Sequence, residues 1–213
     1  MQKNKITLCL FDCGGVVYPY TLEPFKKFVQ SEFLKGKGVC PSFAWNALMS
    51  GEFSFEEFCK DICEKSNVQC TKKTVLKIDD VLHQGVGPVY DDILESIHFL
   101  KSRGVKIGML SNALPCLKDT INSLPLDRDF VFLSYELKML KPDERIFKKV
   151  QALSGVPFNE ILFVDDKIEN VNVASKLGIK TILYNQKNVL NSIRNLCGDN
   201  HVGYTGYRGC YSR

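Results

Sequence analysis

The stretch that most constrains this chain is Leu8-Cys9-Leu10-Phe11-Asp12-Cys13-Gly14-Gly15-Val16-Val17. An unbroken apolar run from Ile6 to Phe11 suits a parallel strand covered on both faces. It ends abruptly in an acid, followed by two glycines. Asp12 is thereby expected at the carboxyl end of a buried strand, where open α/β sheets bind their ligands. Gly14 and Gly15 let the backbone turn tightly and come close to a ligand. A carboxylate in such a place can serve as nucleophile, metal ligand or both. It can equally cap a loop, so the rest of the chain has to decide.

The chain continues as alternating elements. Helical periodicity is expected from Thr21 to Leu34, then from Pro41-Ser42 through Leu48. A third helix runs from the Ser54…Glu57 capping box through Cys63, and a fourth from Thr71 to Leu82. No convincing strand interrupts residues 18–85. Beyond them the pattern becomes regular. A helix over Pro88–Arg103 precedes a strand over Val105–Leu110, and a helix over Pro115–Ser123 precedes a strand over Phe130–Leu133. After a loop through Tyr135–Leu140, Lys141-Pro142 opens a helix reaching Ser154-Gly155. Strands over Ile161–Val164 and Thr181–Tyr184 flank a helix over Ile168–Leu177, and a last helix covers Lys187–Leu196. Strands separated by helices imply right-handed crossovers and a parallel sheet. The fold class predicted is therefore α/β: a doubly wound, Rossmann-like parallel sheet over 1–17 and 86–213, with a helical insertion over 18–85. The glycine- and tyrosine-rich segment 198–213 is expected to be a loosely ordered tail.

Composition narrows the partners. At 213 residues, 45% apolar and 24% charged, the chain has the composition of an ordinary globular protein and the length for one full core, or a core plus a small accessory domain. A net charge of +4 falls short of a nucleic-acid footprint and suits an anionic small molecule. The apolar segment after Lys5 is short and broken by Asp12, so no secretory leader or membrane association is expected. The nine cysteines have no framework spacing, which fits reduced thiols and a cytoplasmic location. Cys59 and Cys63, one helical turn apart and flanked by Cys40 and Cys70, match no common zinc spacing and read as small buried residues. The sequence leaves the oligomeric state open.

Four strand ends carry groups suited to phosphate chemistry: Asp12, then Ser111-Asn112, then Lys141 in the loop after the third strand, then Asp165-Asp166. A phosphoryl group needs hydrogen-bond donors and positive charge around its oxygens, which Ser111 and Lys141 supply. Asp12 and Asp166, with the Gly14 carbonyl, offer hard oxygens for Mg2+. Each motif alone is ordinary turn or cap chemistry; their order and spacing make the case.

That order resembles the four motifs of the haloacid dehalogenase superfamily in its phosphatase branch. Leu110-Ser111-Asn112, Leu140-Lys141-Pro142-Asp143 and Phe163-Val164-Asp165-Asp166 with Asn170 are similar to its later motifs. The resemblance implies a magnesium-dependent phosphatase that hydrolyses a small phosphorylated metabolite, sugar phosphates among the candidates, through an aspartyl-phosphate. In that reading Asp12 and Lys141 are catalytic, and Ser111, Asn112 and Lys141 bind the phosphate. Asp12, Gly14 and Asp166 hold the metal, and Asp165 orients metal-bound water. Residues 18–85 correspond to the family's mobile helical cap. Gly51-Glu52-Phe53-Ser54 with Glu57-Phe58 resembles cap sequences of a bacterial α-glucose-1-phosphate phosphatase-like subgroup.

The departure is Gly14, which stands where the family's phosphatases carry a second Asp as general acid and base. Such a group contributes roughly 100- to 10,000-fold. Its absence implies a slower or more selective enzyme, with Cys13, Tyr18 and Tyr20 as nearby candidate proton carriers. Two other readings stay open. One is a haloacid dehalogenase-type hydrolase, which also lacks the second Asp and gives the pair Asp165-Asp166 no metal to hold. The other is a catalytically impaired binding or interaction protein on the same fold.

Overall fold

The structure, a computed structural model, describes residues 5–36, 38, 41–186 and 189–198. Strands β1 (Leu8–Phe11), β2 (Lys106–Ser111), β3 (Val131–Leu133), β4 (Ile161–Asp165) and β5 (Lys180–Leu183) form a sheet of order β3-β2-β1-β4-β5, parallel throughout. The expected doubly wound α/β core is present, with the Asp12 strand at its centre. Every β1 residue is buried, as its continuous apolar run requires.

Side-chain alternation divides the core. Cys9, Phe11, Met109 and Val164 face one layer with Ile93, Ile97 and Leu100 of α5 (Asp91–Lys101) and Ile193 of α10 (Val189–Leu196). Leu8, Leu10 and Phe163 face the other, with Phe147 and Val150 of α8 (Glu144–Ser154) and Ala174 of α9 (Ile168–Lys176). Chain order reverses direction between β1 and β4, whose ends are joined by the Asp12 N–H donating to the Val164 carbonyl at 2.8 Å. A doubly wound sheet opens its ligand crevice at this switch point.

Between β1 and α5 lie α1 (Glu23–Phe28), a π-helical continuation over Val29–Phe33, α2 (Trp45–Met49), α3 (Phe55–Lys65) and α4 (Lys72–His83). They share an apolar cluster of their own, built on Phe25, Leu48, Phe58, Ile62, Ile78 and Leu82. Leu114 and Leu117, from the turn that precedes α6 (Lys118–Asn122), reach into this cluster from the sheet side. Cys59 and Cys63 are buried in the helical region, and burial pushes each thiol up to about 12, as expected of packing residues. Cys40 and the segment 199–213 lie outside the described residues.

Three local expectations shift. The helix expected from Pro41-Ser42 starts only at Trp45, where the Ala44 N–H is capped by the Asp61 carboxylate of α3 at 3.0 Å. The loop expected at Tyr135 contains a one-turn helix, α7 (Ser134–Leu137), closed by Lys138 in a left-handed conformation. Lys141 and Pro142 stay outside α8, whose N-terminus is capped by Asp143 accepting from the Arg145 N–H at 2.8 Å.

Candidate active site

Asp12 follows β1 directly, and one of its oxygens, Oδ1, is engaged twice. It accepts the Cys13 N–H at 2.7 Å and lies 2.9 Å from Lys141 Nζ. Lys141 also donates to Asp165 Oδ2 at 2.6 Å. This ammonium is buried, and its neighbours decide its charge. Burial alone pushes Lys141 down, but the Asp12 and Asp165 charges and their hydrogen bonds outweigh it and hold the lysine above its ordinary value.

The lysine is also held by its main chain. Asn112 donates through Nδ2 to the Lys141 carbonyl at 2.9 Å and accepts the Lys141 N–H on Oδ1 at 2.8 Å. Both ends of the amide are thus engaged in fixing the loop that carries Lys141. Ser111, the last residue of β2, is buried beside them and lines the same cavity.

Asp165 accepts from Lys141, from the Lys167 N–H at 2.8 Å and from Asn170 Nδ2 at 3.0 Å on both oxygens. These bonds occupy its carboxylate as an anchor for Lys141. Asp166 is unlike it: exposed, with Oδ2 resting 2.6 Å from where a side chain on Gly15 would begin. Oxygens of Asp12, Asp165 and Asp166 all lie within 4.8 Å of one another. Partial desolvation and the Asp12 charge push Asp166 up from its ordinary value, the signature of crowded carboxylates. Asp12 and Asp165 share the buried Lys141 ammonium and Asp166 stands beside them, a crowding of negative charge that a divalent cation would offset. The donors are hard oxygens, as Mg2+ prefers, and Asp12 and Asp166 are the two whose oxygens are not fully engaged in hydrogen bonds. The residues therefore fit the metal that the sequence motifs imply.

A cavity of about 390 Å³ opens beside these groups. Asp12, Gly14, Ser111, Asn112, Lys141 and Asp166 line it together, so the separate strand-end motifs converge on one place. The cavity is also lined by residues for which the sequence carried no motif: Leu22, Trp45 and Met49 from the helical insertion, and Leu114, Leu117 and Ile121 after β2. Their only sequence signal was apolar helical spacing, which core residues share. Cys13 and Tyr18 are buried and hydrogen-bonded to each other, and burial raises both, the thiol to about 12. Tyr20 lines the cavity; burial raises it as well, and its hydroxyl is buried without a partner.

A parallel sheet whose central strand delivers an aspartate into an acidic, lysine-braced pocket makes this an α/β protein with an aspartate-centred site. Residues 6–178 match the haloacid dehalogenase-like hydrolases, and the chain belongs to that family. Among curated relatives it is 26% identical over 200 residues to an (S)-2-haloacid dehalogenase of Pseudomonas putida, covering 84% of each chain. It is 29% identical over 195 residues to acyl-CoA dehydrogenase family member 10 of Mus musculus, of whose length the match spans only 17%. Among solved structures, a HAD family enzyme of Bacteroides thetaiotaomicron in complex with magnesium and inorganic phosphate aligns with a TM-score of 0.68 and 26% identity, over 85% of this chain and 96% of that one. A predicted HAD-like family hydrolase of Porphyromonas gingivalis aligns with a TM-score of 0.71 and 27% identity, over 90% and 98% of the two chains.

Proposed function

We propose that this protein is a magnesium-dependent phosphatase acting on a small phosphorylated metabolite in the cytoplasm, with Asp12 as nucleophile and residues 18–85 as a cap over the site. The observation that carries the reading is the cluster of Asp12, Asp165 and Asp166 within 4.8 Å, braced by Lys141. A displacement at carbon needs no metal, whereas a phosphoryl group brings negative charge that a cation held by this cluster would offset. The Bacteroides relative crystallised with magnesium and inorganic phosphate supports the same reading.

In this mechanism a phosphate monoester enters with its oxygens toward Ser111 and Lys141. The Asp12 carboxylate attacks phosphorus through the oxygen that does not face Lys141, the bond from phosphorus to the ester oxygen breaks, and the alcohol departs as an alkoxide that takes its proton from water. Lys141, fixed by Asp165 and by the Asn112 clamp, offsets the charge on the transferring group. Asp12, Asp166 and the Gly14 carbonyl would hold Mg2+, which when bound screens the attacking carboxylate from the phosphoryl oxygens. Water then hydrolyses the aspartyl-phosphate, releasing inorganic phosphate and restoring Asp12. The test is phosphate release from a panel of small phosphoesters with Mg2+ and with EDTA, against Asp12→Asn. Release that requires both Mg2+ and Asp12 supports the proposal, and equal release by Asp12→Asn overturns the covalent route.

A second reading, a 2-haloacid dehalogenase, is favoured by the Pseudomonas relative and by the glycine at 14. Chloride release from 2-chloropropionate that persists in EDTA, with no phosphoester turned over, would select it.

A further inference from the structure

The cavity lining divides by chemistry. Asp12, Ser111, Asn112, Lys141 and Asp166 bring polar groups to it. Leu22, Trp45, Met49, Leu114, Leu117 and Ile121 bring an apolar wall, the first five of them members of one hydrophobic cluster. None of these six carries a hydrogen-bonding group except the Trp45 indole. Tyr20 lines the same cavity, and its hydroxyl is buried without a partner. Asn112, which could have reached a substrate hydroxyl, has both amide ends engaged by the Lys141 main chain.

Trp45 is not free to move aside. Its ring sits 5.2 Å from Phe25, edge to face, and 4.6 Å from Phe58, measured between centroids. It presents a fixed aromatic surface set by the helical cluster. A pocket that buries a polyol must supply a partner for each hydroxyl, since a buried polar group without one is costly. This wall cannot do so. It matches an apolar alcohol, and a planar ring gains most from the aromatic surface.

We infer that the substrate is a phosphate monoester of an apolar, aromatic-bearing alcohol rather than of a sugar, and that Trp45 is the residue that selects it. The inference rests on the phosphatase reading above and adds the identity of the leaving alcohol.

The discriminating pair is 2-phenylethyl phosphate and glucose 6-phosphate. Both are primary alkyl esters, so the acidity of the departing alcohol is nearly matched and polarity is the main difference. With Mg2+, kcat/KM for the phenylethyl ester should exceed that for the sugar ester by about 100-fold. Trp45→Ala should cut that ratio by about tenfold or more, chiefly through KM of the phenylethyl ester, and Trp45→Phe should restore most of it. If Trp45→Ala does not fold, as its circular dichroism would reveal, Met49→Gln puts an amide on the same wall and should shift the ratio toward the sugar ester. A ratio at or below one overturns the inference while the phosphatase reading stands. So does a high ratio left intact by Trp45→Ala or Met49→Gln. Failure to hydrolyse either ester, or any phosphoester in the panel, overturns the phosphatase reading and this inference with it.

Discussion

Gly14 and Tyr20 are one problem seen from two sides. A side chain begun at Gly14 would meet the Tyr20 Cβ at 3.1 Å, so the tyrosine packs over the place where an acid–base carboxylate would start. The sequence signalled that carboxylate's absence; it did not show that the space above it had been taken. Gly14→Asp alone should therefore cost stability and restore little acid catalysis. Paired with Tyr20→Ala it should raise phosphate release from primary alkyl esters more than from aryl esters, which need little protonation to leave. In the native protein, rates in a series of aryl phosphates should rise steeply with leaving-group acidity under single-turnover conditions. A flat series would mean that another group, the Tyr20 hydroxyl first, supplies the proton. Gly15 poses a sharper constraint. With φ at +89° and Asp166 Oδ2 2.6 Å from its would-be Cβ, Gly15→Ala strains the turn and displaces a carboxylate of the proposed metal site. The expected result is loss of the Mg2+-dependent rise in melting temperature, together with loss of activity; a Mg2+ response equal to that of the native protein would remove Asp166 from the metal site.

The elements divide by how local their causes are. Strands β1, β2 and β4 were legible because continuous apolar runs ending in polar residues follow from burial on both faces, and their ends named the Asp12, Ser111-Asn112 and Asp165-Asp166 positions. Helix α3 was legible from its capping box, now seen with the Ser54 N–H donating to Glu57 at 2.7 Å and the Glu57 N–H to Ser54 Oγ at 3.2 Å. What the sequence hid depends on distant partners. Helix α2 begins where Asp61, seventeen residues on, caps it. Lys141 is placed by Asn112, twenty-nine residues away. Gly85 and Gly87, where the chain returns from the helical insertion, have no positive φ. A side chain on Gly85 would fall 2.2 Å from the Thr21 carbonyl, and one on Gly87 2.5 Å from Pro19, so these glycines serve close approach. Ser54→Ala should lower stability by about 1 kcal/mol in urea unfolding. Gly85→Ala should lower it by more, because the clash is with main chain, and an equal or smaller loss would show that the two segments can part without cost.

At the scale of the molecule, those two segments determine how the proposed cap is carried. The chain leaves the sheet after Val17 and returns before α5, and the crossings run side by side. Thr21 N–H donates to Gly85 O at 3.0 Å, Gly87 N–H to Pro19 O at 2.9 Å and Tyr90 N–H to Val17 O at 2.9 Å. A hydrogen-bonded ribbon of this kind bends as a unit, which suits rigid-body motion of the helical cluster more than loosening of its helices. The opposite side of the cap is held by a smaller contact. Ser134 Oγ donates to the Met49 carbonyl at 2.6 Å while accepting the Ala113 N–H at 3.1 Å, and Lys138 reaches the Gly51 carbonyl. One hydroxyl thus links the loop after β2, which carries Asn112, to the α2 end beside Trp45. Closure over a ligand should tighten both attachments, and the chain contains its own reporter, because Trp45 is its only tryptophan. Adding Mg2+ with vanadate as a phosphate mimic should change Trp45 emission and slow amide exchange at residues 17–21 and 84–90. Ser134→Ala removes the latch but no group of the acidic cluster, so it should raise KM severalfold more than it lowers kcat and weaken the emission change at a given vanadate concentration. Unchanged emission and uniform exchange in the native protein would mean that the helical layer is a fixed wall, and that substrates enter the cavity without any movement of the cap.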